Sequence, residues 1–178
     1  MSEPSIEITE RRLELADVPV GLQAIYAYWQ NKRGSARMPA RADVDPLDFG
    51  RMLGSVTLME VNPAPPRFVY RVCGTRMGRR RGGGRDGMDL ADLRPRNYAN
   101  LVIRHYEEAV AVAGPTLYRN VLAFAGASYT YERLLLPLGA HRRTVDRLLV
   151  CPLVNEVAQT ELWRRWAEAD ERICGVVA

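Results

Sequence analysis

The sequence predicts an α+β domain in which helices pack on one antiparallel sheet. Three observations lead there. Apolar residues recur at helical spacing in three separated stretches. Five runs rich in β-branched and aromatic residues lie between those stretches. The joints between successive runs are short enough for hairpins. The chain has 178 residues, 47% hydrophobic and 26% charged. That is a globular balance, at a size that buries a core without disulfide staples.

Residues 1–18 are polar and charged, with little period, and read as a loose N-terminal arm. The domain proper is expected over 19–155, with a C-terminal amphipathic helix and tail over 156–178. The first helix is expected over 20–31, because Leu22, Ile25, Tyr26 and Trp29 form one stripe, and Gly34 and Pro39 end it. A turn-rich connector follows, in which Asp45-Pro46 starts a short helical turn. Residues 55–61 and 67–73 read as two strands joined through the proline-rich Asn62 to Pro66. In the second, Phe68, Tyr70 and Val72 share one face. Residues 74–96 are rich in Gly, Arg and Asp and carry no long period. Tyr98, Val102, Tyr106, Ala109 and Ala113 then mark a helix over 97–113, stopped by Gly114-Pro115. Three more strands are expected over 116–124, 128–138 and 144–153. The last helix is expected over 159–173, on Leu162, Trp166, Ala169 and Ile173.

The net charge is +4 and the pI about 9.2. Lys32 is the only lysine among 25 basic residues. The arginine bias runs along the whole chain, so it reads as composition rather than as a phosphate-binding surface. Cys73, Cys151 and Cys174 are far apart and lack metal-ligand spacing, as in a reduced, cytoplasmic protein. There is no signal-peptide pattern. No apolar run approaches the roughly 18 residues that span a bilayer.

Several blocks occur in a telling order. They are Trp29 with Lys32-Arg33, then Met38-Pro39-Ala40-Arg41 and Asp43-Val44-Asp45-Pro46. Tyr70-Arg71-Val72-Cys73-Gly74-Thr75 follows, then Tyr106 and Gly114-Pro115, and last Tyr131-Glu132-Arg133-Leu134-Leu135-Leu136-Pro137-Leu138. In this order, across roughly residues 20–155, the chain resembles a bacterial single-domain PAS family formerly described as a domain of unknown function. The resemblance implies a five-stranded antiparallel PAS sheet with a long helix across one face and flanking N- and C-terminal helices. It implies a sensory or regulatory module that binds a small molecule or a protein partner and signals through dimerisation or its flanking helices. It supplies no catalytic residues. The chain departs from the family over 78–87, where a glycine- and arginine-rich segment stands at the edge of the expected cavity.

Each motif has a plainer reading beside the functional one. Gly82, Gly84 and Gly87 spell G-x-G-x-x-G, but the motif is not placed between a strand and a helix of a parallel unit, as a dinucleotide site requires. A flexible loop is the simpler reading. Arg79, Arg80, Arg81 and Arg85 form a candidate anion-binding loop for a nucleotide or nucleic acid. No aromatic residues interleave with them for base stacking, which argues against nucleic acid. His105 lies beside the stripe of the long helix. It is either a helix-edge histidine or, as in some PAS sensors, a haem ligand. Otherwise the sequence names no cofactor.

The candidate ligand pocket lies between the sheet and the 97–113 helix, lined by Tyr70, Val102, His105, Tyr106, Ala109 and Tyr131. The same residues are the expected core. Tyr26, Trp29, Trp163 and Trp166 are the candidate interface of a homodimer, since large aromatics on flanking helices are common hot spots. The alternative for the tryptophans is that their helix folds back on its own sheet. Three functions follow, in this order. One is a cytoplasmic sensory module acting on a partner in trans. Another is a docking module with a filled core. The last is an enzyme, for which no nucleophile–base pair or metal cluster appears.

Overall fold

The computed structural model describes residues 3–62, 65–74 and 85–170. Six strands form one antiparallel sheet: β1 (Glu7–Leu13), β2 (Thr57–Asn62), β3 (Arg67–Cys73), β4 (Thr116–Phe124), β5 (Ala127–Ala140) and β6 (Thr144–Val154). Their spatial order is β1-β4-β5-β6-β2-β3. Three helices pack on it: α1 (Val20–Arg33), α2 (Arg96–Val112) and α3 (Glu156–Ala169).

The five expected strands all form, within two residues of their predicted bounds. Alternation is the reason: each carries apolar side chains toward a covered face. The β4–β5 hairpin closes on Ala125 and Gly126, both at positive φ, as a two-residue turn of the twist-matching kind requires. At Gly139 the pairing of β5 with β6 shifts register. A Cβ there would stand 2.2 Å from the Thr144 carbonyl oxygen, so only glycine fits the close approach.

One correction concerns the N-terminus. Residues 7–13 are not a loose arm but β1, a sixth strand paired in continuous register with β4 from Glu7↔Ala123 to Leu13↔Leu117. The hydrophobic period missed it because its inward side chains include Glu10 and Arg12. These are matched by polar groups of α2, not by apolar ones. The residues before it are also tied down. Glu3 accepts a hydrogen bond from the Arg96 backbone N–H at 2.7 Å, placing a carboxylate at the start of α2. Ile6 and Asn97 exchange hydrogen bonds.

The two faces of the sheet are covered differently. Helix α1 buries Leu22, Ile25 and Trp29 on the face that carries Leu134, Leu136 and Leu149. The Trp29 indole N–H donates to the Pro137 carbonyl at 2.8 Å. Helices α2 and α3 share the opposite face, where the Tyr98 and Trp163 rings meet edge to face with centroids 5.3 Å apart. Asn155 caps α3 by accepting from the Ala158 N–H at 3.2 Å. Among the described residues no helix is long and apolar enough to cross a membrane.

Candidate functional site

Two adjacent rows of the sheet run beneath α2. One reads Glu10, Asn120, Tyr131, Val154, and the next reads Arg12, Tyr118, Arg133, Pro152. Because all of these point to the α2 face, the sheet presents polar groups to the middle of the core. They are joined to one another. Arg133 Nη1 donates to His105 Nδ1 at 3.1 Å. Arg133 Nη2 donates to the hydroxyl of Tyr98 at 3.1 Å and to that of Tyr131. The two hydroxyls lie 3.2 Å apart. On its other side His105 Nε2 bonds to Glu10, which Arg104 also holds at 2.8 Å.

This arrangement defines the tautomer of His105: Nδ1 accepts, so Nε2 carries the proton and donates to Glu10. The ring is buried and stacks on Tyr118 at 3.6 Å. Burial and the nearby Arg133 charge hold its pKa down to about 4, against the opposing pull of Glu10. The imidazole is therefore neutral at pH 7. Burial works to raise the Glu10 pKa, but the hydrogen bonds from Arg104 and His105 outweigh it and the carboxyl is lowered. Burial pushes the phenols of Tyr106 and Tyr131 upward, so both stay protonated.

Beside this network lies a cavity of about 30 Å³, room for about one or two water molecules. Tyr70, Val102, Tyr106 and Tyr131 line it, as expected from the sequence. His105 and Ala109 do not. His105 is turned into the network, with both ring nitrogens engaged, so neither is available to a haem iron. Ala109 is wholly buried farther along α2. Sequence reasoning missed Arg133, Thr57, Tyr98, Arg85 and Gln159 as lining residues. For Arg133 a signal existed. It has the inward parity of Tyr131 and Leu135 in a strand whose neighbours are nearly all buried, so a charge there had to face the core.

Arg85 stands at the cavity with its guanidinium over the Tyr70 ring, 5.6 Å from the centroid. Arg79, Arg80 and Arg81 lie outside the described residues, as do Gly82 and Gly84. Gly87 is described: its N–H donates to the Tyr70 carbonyl at 2.6 Å. It sits in a turn against β3, not at the start of a helix as a dinucleotide motif requires. A second hollow, of about 330 Å³, opens near Phe68 and Leu90. The charged groups lining it, Arg67 and Asp89, pair with each other.

The candidate interface needs correction. Trp29, Trp163 and Trp166 are only 2%, 7% and 5% exposed, and Tyr26 is half-buried. The Trp166 indole N–H donates to the Pro4 carbonyl at 2.9 Å. These helices fold back onto their own sheet, which hides the aromatic area that a partner would need.

Asn120 is fully buried, and neither its amide oxygen nor its amide nitrogen has a hydrogen-bond partner among the described residues. An unsatisfied buried amide costs about 1–3 kcal/mol. Replacing it with leucine, of similar size, is therefore expected to raise stability by about 1 kcal/mol. The urea midpoint should rise at constant slope. A lower midpoint would show that the amide is paired in solution.

A six-stranded antiparallel sheet in this order, with a long helix across one face, is a PAS-like α+β fold. A family model described as PAS domain matches residues 19–152, and the chain belongs to that family. No curated protein and no solved structure matches it significantly.

Proposed function

We propose that the chain is a non-enzymatic sensory module of the cytoplasm that binds a small molecule under α2 and reports occupancy to a partner in trans. The observation that carries this reading is the cavity itself, enclosed by β2, β3, β5, β6, α2 and α3 and lined by polar groups. The route outward is also built in. Arg133 at the cavity touches His105, and His105 touches Glu10 on the edge strand β1. A ligand that shifts Arg133 changes what holds β1. The non-enzymatic reading draws support from two groups. His105 is committed at both nitrogens, and burial pushes the Cys151 thiol far upward, away from the reactive thiolate.

Native mass spectrometry of freshly purified protein tests the proposal. A bound mass that is lost on denaturation, and absent from a folded Val102→Phe variant whose larger side chain takes up the cavity, is the expected result. Bare wild-type protein would count against it.

One observation favours a docking role as well. Leu53 and Val72 line a shallow hollow with Phe49 and Leu58. Val72, on the edge strand β3, is 54% exposed, and Leu47 nearby in sequence is 78% exposed. Exposed apolar groups beside an open sheet edge suit a second copy of the chain. Light scattering should then report a dimer that Val72→Asp converts to monomer. A wild-type monomer would rule this contact out.

A further inference from the structure

We propose that the cavity under α2 is a carboxylate site, with Arg133 as its anchor and Arg85 at its edge. The inference deepens the sensory reading above and rests on it.

Among the described residues the cavity lining contains two arginines, four tyrosines, a threonine and a glutamine, and no aspartate or glutamate. Arg133 is 4% exposed. Among the described residues it has no carboxylate within ion-pairing distance, whereas Arg12, Arg67, Arg71, Arg104 and Arg119, which do, keep their side chains at the surface. A guanidinium taken out of water without a counter-charge is costly, by several kcal/mol. Its present partners are neutral: a histidine nitrogen and two phenol oxygens. They account for three of its five N–H groups, so two remain without an acceptor among the described residues. Charge and hydrogen-bonding capacity are thus both left for an anion.

The geometry favours a carboxylate over a larger anion or an aromatic cofactor. The room is about 30 Å³, and one or two waters' worth of space matches the head of a carboxylate. The two N–H groups without an acceptor among the described residues, Nε–H and the second Nη1–H, lie on different edges of the guanidinium, so a carboxylate oxygen takes a single charge-assisted hydrogen bond from one of them. The plane of Arg133 is fixed beforehand, because His105 accepts from Nη1 and the tyrosines accept from Nη2. His105 is in turn held by Glu10. A phenol that accepts from a guanidinium is polarised, which strengthens its own O–H as a donor. Burial keeps the Tyr131 hydroxyl protonated for that purpose. Arg85 supplies a second positive charge where the ligand's remainder meets the edge.

The test pairs acids with their uncharged amides. Calorimetry on the full chain at pH 7 compares acetate, pyruvate and butyrate with acetamide, pyruvamide and butyramide, in sodium chloride at matched ionic strength. At least one acid should bind saturably and at least about tenfold more tightly than its amide, as a site built around a charge requires. Arg85→Gln should weaken that acid by about fivefold while its amide is unaffected. Arg133→Gln should abolish the preference for acid over amide. Should Arg133→Gln fail to fold, Arg85→Gln and the acid–amide ratio decide. Acid and amide binding equally would overturn the carboxylate assignment and leave a sensory cavity standing. No acid binding, with a bound mass still present in native spectra, would overturn it in the same way. No acid binding and no bound mass would remove both readings.

Discussion

Trp163→Ala is expected to destabilise the protein by about 3–5 kcal/mol, the range for emptying a large aromatic from a core. Trp163 is buried between Tyr98 of α2 and Trp166 of its own helix, at centroid distances of 5.3 and 6.2 Å. Both contacts are edge to face and add to the area term. Truncation leaves a space bounded by rigid rings, and a stiff surround collapses poorly. Trp166→Ala should cost a similar amount, since it also removes the hydrogen bond to the Pro4 carbonyl. Urea denaturation monitored by far-UV circular dichroism reads the loss. Light scattering on the same variants is expected to show no change of oligomeric state. Unchanged stability with a dimer turned to monomer would return these tryptophans to an interface.

The second large effect is acid lability centred on His105. Its pKa is about 4 in the folded chain, against an ordinary 6.5. Between those values the unfolded chain binds a proton that the folded chain refuses. Stability therefore falls as the pH falls through that window, is fully present above about pH 6.5, and loses this contribution by about pH 4. The shift is worth roughly 3 kcal/mol. The groups facing the ring explain the sign. Burial disfavours the cation first, Arg133 on β5 and Arg104 on its own helix repel it, and Glu10 on β1 opposes them. Tyr118 on β4 stacks on the ring. The lowered carboxyl of Glu10 adds a loss of the same direction at still lower pH. Urea midpoints taken from pH 7.5 to 4 should fall steadily in the wild type and less steeply in His105→Gln. Parallel curves would assign the acid sensitivity to the carboxylates alone. His141, the other histidine, is exposed in a turn.

These two effects bear on function from opposite sides. The tryptophans are structural, and Trp163 holds α3 against Tyr98 of α2. The Glu10–His105–Arg133 chain is a connected polar line through the layer between the sheet and α2. Such a line is an expensive way to build a core, because each member must be satisfied by the next. Its presence here is accounted for if Arg133 meets a ligand at one end and Glu10 holds an edge strand at the other.

The sequence by itself determined the class of fold and the framework of the sheet. Alternation in 67–73, 116–124 and 128–138 and the stripe from Tyr98 to Ala109 are local signals, set by which side chains must leave water. They also placed Tyr70, Val102, Tyr106 and Tyr131 on the cavity, since parity and helical phase decide which way a residue points. Tertiary structure alone decided three matters. Strand β1 was hidden because its inward residues are charged, and only α2 supplies the partners that let Glu10 and Arg12 face a sheet's covered side. Trp163 and Trp166 were equally suited to an interface or a core, because a helical stripe specifies a buried face and not what buries it. The assembly of Arg133, His105, Tyr98 and Tyr131 spans separations of up to 35 residues. No local pattern encodes it. The charge at position 133 was visible in the sequence, but the absence of a carboxylate around it among the described residues appears only when strand and helix are brought together.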